Sequence, residues 1–309
     1  MQKPLLLTTL LATLGTAPFA VAEGPIDGKI YGKVNISLVN TDSDSEDVWK
    51  LNSNASRIGF KGATAISDGL EVFYKTEFEI AVDDGSFDNK TGGDDTDKVT
   101  FKQRNIFVGI KGGFGSLWAG KHDTPTKMAQ QKIDLFDNLE GDIKSTFAGE
   151  NRMSNMVAYS APKMGAFSAT IAVRPAEDES NSATSYSASY SKDGLYLAVA
   201  ADSRVLNKDV PMDLVRLVSQ YKINGLQLGL MYQDNDTTDE SGYFASVAYQ
   251  CDKITYKAQY GSNEDKTTLS LGADYKLAKN TKAFAFYTNI ENPSKGDPST
   301  FGVGLEHKF

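Results

Sequence analysis

The chain has 309 residues, 40 of them acidic and 32 basic, for a formal net charge of −8. That balance, with no basic arm or Lys/Arg cluster, excludes nucleic acid as a partner. Cys251 is the single cysteine, and His122 and His307 are the two histidines. A disulfide framework and a cysteine-based zinc site are excluded, and a catalytic triad would have to recruit one of those two imidazoles.

Residues 1–22 read as a secretory signal peptide. Lys3 gives the positive start, Leu5 to Leu14 an apolar core, and Ala20-Val21-Ala22 a small-x-small cleavage site after Pro18. The rest, 23–309, reads as one domain. No later segment reaches about 18 consecutive apolar residues, so helical membrane spans are excluded. A mean hydropathy of −0.35 resembles that of a soluble protein. A transmembrane barrel, however, hides its apolarity in alternation.

From Gly28 onward the period is two. Leu226, Leu228, Leu230 and Tyr232 alternate with Gln227, Gly229, Met231 and Gln233. Ile254 to Tyr260, Leu269 to Leu277 and Phe301 to Phe309 repeat the pattern. One face of each strand is therefore apolar and the other polar. Charges such as Lys75, Glu77 and Lys257 fall deep within strands. Tyr31, Tyr159, Tyr232, Tyr260, Tyr275 and Tyr287 recur near strand ends. Water on the polar side and interfacial aromatic girdles on the other explain both features, and select a membrane barrel over a soluble sandwich.

Turn residues divide the chain. Short connections fall at Ala65–Gly69, Gly112–Gly115, Pro162–Gly165, Lys192–Gly194, Asn224–Gly225, Asp252–Lys253 and Ala278–Asn280. Long polar ones interleave with them at Thr41–Val48, Asp83–Lys98, His122–Asn151, Ala176–Ser182, Arg204–Pro211, Asp234–Ser241, Asn263–Lys266 and Glu291–Pro298. Fifteen connections join sixteen antiparallel strands, with both termini on the periplasmic side. About 18 residues per strand and connection suit strands of roughly 9–11 residues. The stretch His122–Asn151 is the longest connection, and a loop of that length is usually functional.

Parity places Arg57 and Lys61 opposite Ile58 and Phe60, Lys75 opposite Tyr74 and Thr76, Lys33 opposite Gly32 and Val34, and Arg152 opposite Val157 and Tyr159. These cations belong to polar faces. Arg104 shares parity with Ile106 and Val108, so a bulge or slip is needed to turn it the same way. The acidic runs Asp83–Asp88, Asp94–Asp97 and Asp234–Glu240 match no EF-hand spacing and read as solvated loop charge. His122 has no second ligand nearby and reads as a loop residue. No metal or cofactor is expected.

The mature chain resembles the general bacterial porins of the Gram-negative outer membrane. The likeness rests on Ile30-Tyr31-Gly32-Lys33-Val34, on Asn54-Ala55-Ser56-Arg57-Ile58-Gly59-Phe60-Lys61-Gly62, on Phe107-Val108-Gly109-Ile110 with Phe114-Gly115-Ser116-Leu117, and on the terminal Phe309. Each piece is short, and their order carries the resemblance. It implies a passive, non-enzymatic channel for ions and small hydrophilic solutes, embedded in outer-membrane lipid as a homotrimer. It also implies a third loop, His122–Asn151, folded into the lumen. There the loop acids Asp134, Asp137 and Glu140 would face a basic wall of Arg57, Lys33, Lys75, Arg104 and Arg152 as a pore constriction. The terminal strand ending at Phe309 would be read by the barrel-assembly machinery. The alternative is a substrate-selective porin for anions such as phosphate, or for sugars. A barrel enzyme is disfavoured, because His122 has no convincing serine partner and His307 faces outward.

Overall fold

The computed structural model describes residues 28–43, 46–85, 87–89, 97–176, 182–207, 210–264, 266–293 and 296–309. The signal-peptide segment and parts of the acidic runs at 83–88 and 94–97 lie outside the described residues. β1 spans Gly28–Ser43, and β2 has two parts, Glu46–Ser53 and Arg57–Ser67. β3 is Leu70–Ile80, β4 Phe101–Gly112, β5 Gly115–Asp123 and β6 Arg152–Ser160. β7 is Phe167–Arg174, β8 Ala183–Lys192, β9 Leu195–Asn207, β10 Val210–Ile223 and β11 Leu226–Asn235. β12 is Glu240–Cys251, β13 Ile254–Asn263, β14 Lys266–Ala278, β15 Thr281–Glu291 and β16 Ser299–Lys308. Among the described residues these sixteen strands form one antiparallel sheet, which closes where β1 pairs with β16. Closure leaves no unpaired edge, as a span through hydrocarbon requires. A small hairpin, Phe87–Asn89 with Asp97–Val99, sits between β3 and β4.

The alternation sorts the two faces as the sequence predicts. Leu228, Leu230 and Tyr232 are exposed on the outer face, while Met231 and Gln233 between them are buried. The short connections are tight. Asn224 and Gly225 both take positive φ (46° and 82°), the geometry of a two-residue hairpin whose twist matches the strands. Several strands run past where the polar sequence suggested loops. β1 reaches Ser43 and β2 starts at Glu46, and β9 and β10 extend to Asn207 and from Val210. Above the apolar band a strand still satisfies its backbone by pairing, although its side chains meet water and read as loop. Tyr31 departs from the girdle expected of it. It lies on the inner parity, with its hydroxyl on Glu77.

β2 breaks at Asn54-Ala55-Ser56, where Ala55 takes φ 51°. β1 supplies the missing bonds. The amide of Asn35 donates to Ser56 Oγ (2.9 Å), Ser56 Oγ donates to the Asn35 carbonyl (3.1 Å), and Asn54 Nδ2 donates to Ser37 Oγ (2.9 Å). This stitch fixes the residue that follows it, Arg57. A second irregularity lies between β3 and β4, where the register shifts between Thr76 and Phe78. Arg104 and Asn105 both fall opposite Glu77, so Arg104 turns inward while Ile106 keeps the outer parity.

Candidate functional site

The inner face of β1 to β6 gathers the predicted cations around acids of the same wall. Glu77, buried, is the hub. Tyr31 Oη donates to its Oε2 at 2.8 Å and Arg104 Nε to its Oε1 at 3.0 Å. Lys75 Nζ lies 3.2 Å away and Arg57 Nη1 3.8 Å away. A buried carboxylate is costly unless paired, and these partners supply the compensation. Arg104 Nη1 also reaches Glu79 Oε2 at 2.6 Å. Arg57 stands directly opposite Lys33 on β1, and Lys33 pairs with Glu306 of β16 at 3.5 Å. Arg152 bonds Asp123 (2.9 Å) and Asn105 (2.9 Å). The five cations expected from the sequence thus occupy one stretch of wall. Among the described residues their ion pairs are with the wall acids Glu77, Glu79, Glu306 and Asp123, the last residue of β5, and none is with an acid of residues 124–151.

That connection, residues 124–151, begins with the short helix α1 (Pro125–Ala129) capped by Thr124, and contains a 3₁₀ turn at Ile143–Ser145 capped by Asp142. Its three predicted acids have different fates. Asp134 is buried and braces the segment, accepting from the amides of Phe136 (3.0 Å) and Ile143 (3.0 Å). Burial and the neighbouring Asp142 and Asp137 carboxylates hold it well above the usual carboxylate range. Asp137 is exposed. Glu140 accepts from Asn52 Nδ2 of β2 at 2.8 Å, and burial pushes its carboxyl up. The Asp134, Asp137 and Asp142 carboxylates come within 4.8 Å of one another. Oxygens of Asp134 and Asp142 are already occupied by backbone amides, so the group braces the loop.

The sequence reading missed the seat on which this segment rests. Ala198, Ala200, Val218, Met231 and Phe244 lie on inner parity and pack with Ala129, Ile133, Ile143 and Phe147. Val39, Phe284 and Phe286 do the same for Phe136. Polar anchors surround these contacts. Gln259 Nε2 donates to the Gly141 carbonyl (2.6 Å), Lys257 Nζ to the Leu135 carbonyl (3.1 Å), and Thr146 Oγ1 meets Thr268 Oγ1 at 2.7 Å. Arg216 is fully buried. It donates to Glu150 (2.9 Å), the Ala148 carbonyl (2.7 Å) and Gln130 (3.1 Å). Burial raises Glu150, against the opposing pull of Arg216 and Lys127. Gly229 makes room, since a Cβ there would stand 2.8 Å from Ile133 Cβ. The signal was present in the sequence: apolar residues occupy both parities of β9 to β12. The inner wall also carries Tyr31, Phe73, Phe107 and Trp118, so aromatics are not confined to the lipid side as the alternation suggested. His122, expected in a loop, is the penultimate residue of β5, with its ring 4.8 Å from that of Phe107.

Known proteins share this architecture. The Neisseria meningitidis serogroup A major outer membrane protein P.IB is 25% identical over 292 residues, spanning 82% of this chain and 83% of that one. The Neisseria gonorrhoeae protein of the same name is 24% identical across the full length of both. Among solved structures, the anion-selective porin from Comamonas acidovorans superposes with TM-score 0.71 at 18% identity, over 92% of this chain and all of that one. The trimer form of OmpT from Vibrio cholerae gives 0.63 at 18% identity, over 91% and 99%. The profile of a family described as Gram-negative porin matches residues 7–295. The closed sixteen-strand barrel and that match together place the chain in the Gram-negative porin family, as a passive diffusion channel of the outer membrane.

Proposed function

We propose that residues 124–151 lie within the barrel and narrow it. Ions and small hydrophilic solutes then pass between this segment and the charged wall of β2 to β5. One observation carries the reading: most of the segment's side-chain hydrogen bonds to the wall land on inner-parity residues of β8 to β14, with Glu140 on Asn52 of β2 and Lys127 beside Asp123 of β5 at its margins, and among the described residues none reaches β3 or β4. The charged middle of that wall, on β3 and β4, is therefore left to water. Arg57 and its neighbours create a field across the passage, and charge rings of this kind set selectivity in pores. The apolar outer faces of β1 and β16, and the trimer form of the OmpT neighbour, support a homotrimer. Residues 1–22 act as a cleaved signal. The terminal strand is presented to the assembly machinery, with Phe309 bonded to Gly32 in both directions (2.9 and 3.2 Å).

Unit charges ~4 Å apart interact by about 4 kcal/mol at an effective dielectric near ~20, against about 1 kcal/mol in bulk water. Arg57→Ser removes such a charge from the passage and leaves Glu77 less neutralised. The reversal potential in a KCl gradient shifts toward cations, and conductance rises. Asp239→Asn, in the exposed turn between β11 and β12, shifts it much less, because salt screens beyond about 8–10 Å. Equal small shifts in both variants would remove the constriction role of Arg57.

A further inference from the structure

The geometry points to a second solute site on the same bare wall, one that takes a small aromatic carboxylate. It rests on the passage following β2 to β5, though not on Arg57 being the constriction.

Register brings three lysines into one row. Lys29 pairs across strands with Lys61, Lys61 with Lys75, and Lys75 with Phe107. Like charges directly opposite one another on a sheet are destabilising. Lys75 has Glu77 as a partner, but among the described residues Lys29 and Lys61 have no ion pair, and both are exposed. Among the described residues the wall thus carries positive charge that its own acids do not neutralise. An anion from solution completes it.

The neighbours of this row narrow the kind of anion. A cavity of about 480 Å³ opens there, lined by Lys29, Lys61 and Lys75 and by the rings of Phe73 and Phe107. That volume is in the range of small-molecule sites. Phe73 and Phe107 meet edge to face with centroids 6.0 Å apart, leaving apolar surface beside the ammonium groups. The Lys61 ammonium already lies 4.9 Å over the ring of Tyr31, which shows that ring and cation share this space. This stretch of wall faces the passage. Phenyl rings on such a wall lose apolar hydration when a flat apolar solute covers them. Phosphate would be better served by a planar guanidinium fork than by lysine points beside rings. A neutral sugar would not use the unpaired cations. A carboxylate on an aromatic ring uses both features.

The test is block of chloride current through the refolded full chain in a planar bilayer. Benzoate, acetate, inorganic phosphate and benzylammonium are added separately. Benzoate should halve the current at about one-tenth the concentration needed for acetate or phosphate, the factor an aromatic contact supplies. Benzylammonium should not block. Lys61→Gln should weaken benzoate and acetate alike, and Lys61→Arg should retain both. Phe107→Ala should erase the advantage of benzoate over acetate. Phe107→Leu keeps the packing volume and should reduce that advantage several-fold, so the result does not depend on the alanine variant folding. Benzoate no stronger than acetate or phosphate, or an advantage that survives both Phe107 variants, would overturn the site. If Arg57→Ser leaves selectivity unchanged while benzoate still needs Phe107, the constriction falls and this site stands.

Discussion

On β9 to β12 the inner positions are Ala198, Ala200, Val218, Met231 and Phe244, whereas on β2 to β4 they are Arg57, Lys61, Lys75, Glu77 and Arg104. Both walls follow the same two-residue alternation and expose an apolar outer face, rich in leucine and valine on the first and in isoleucine and phenylalanine on the second. Their inner faces differ because of what covers them. The first wall is roofed by residues 124–151, and buries Ile133 completely. The second meets water, so its charges are paired along the wall. The polarity of a barrel interior is thus set locally, by whether protein or water occupies the space beside each strand.

The largest effect should come from breaking the covered wall at its buried ion pair. Arg216→Ala strands Glu150 as an uncompensated buried carboxylate, a loss of about 3–5 kcal/mol. Thermal stability in detergent should drop and open-channel noise should rise. Arg216→Met combined with Glu150→Gln should recover most of the stability. Arg57→Ser removes a partly exposed pair and should cost no more than about 1 kcal/mol, so its main effect is on selectivity. Comparable stability losses for Arg216→Ala and Arg57→Ser would erase the distinction between the walls.

Overpacking the seat is the next test. The Cβ of Gly229→Val would stand 2.5 Å from Ser246 Oγ and 2.8 Å from Ile133 Cβ. A cost of about 1–3 kcal/mol is expected, relieved by the segment shifting toward the bare wall. Single-channel conductance should fall while the barrel stays folded. An unchanged conductance would mean that Gly229 does not hold the segment away from the passage.

The smallest effect concerns pH. Burial and nearby carboxylates raise Asp134 above the ordinary carboxylate value of about 3.9, so the folded protein binds that proton more tightly than the unfolded chain. The associated stability is fully present at low pH and lost as pH rises through the raised value. Asp137→Asn removes one repelling charge. Its melting temperature should exceed wild type at neutral pH, by less than about 1 kcal/mol of stability, and the gain should fade as pH falls toward the ordinary carboxylate range. A gain that persists in acid would point to a cause other than Asp134.

Much of this was legible in the chain. Period two and alternating turn lengths determine strand number, closure and which residues face lipid, because a barrel has few ways to satisfy its backbone. Parity was enough for Arg57, Lys75 and Lys33, whereas the register between β5 and β6 shifts between Gly120 and His122, which resets the count before Arg152. Parity failed at Arg104, because a bulge inserts a residue and resets the count. It also failed at Tyr31, where an aromatic near a strand end turned inward to serve Glu77. The seat was the least legible part. Val218 and Phe244 look like noise in the alternation until the sequence-distant partners Ile143 and Phe147 are known to cover them. The fates of Asp134, Asp137 and Glu140 depend on the path of an irregular segment, and no periodicity encodes that path.

The most direct test of the central claim is a crosslink between the segment and the wall it is seated on. Thr146 and Thr268 touch through their hydroxyls at 2.7 Å. Thr146→Cys with Thr268→Cys, in a Cys251→Ser background, should form a disulfide in the assembled protein under mild oxidation. Open-channel conductance should stay at the wild-type level, since the bond holds the segment where it already rests. Thiols that remain free in the folded barrel, or a bond whose formation closes the channel, would contradict the account.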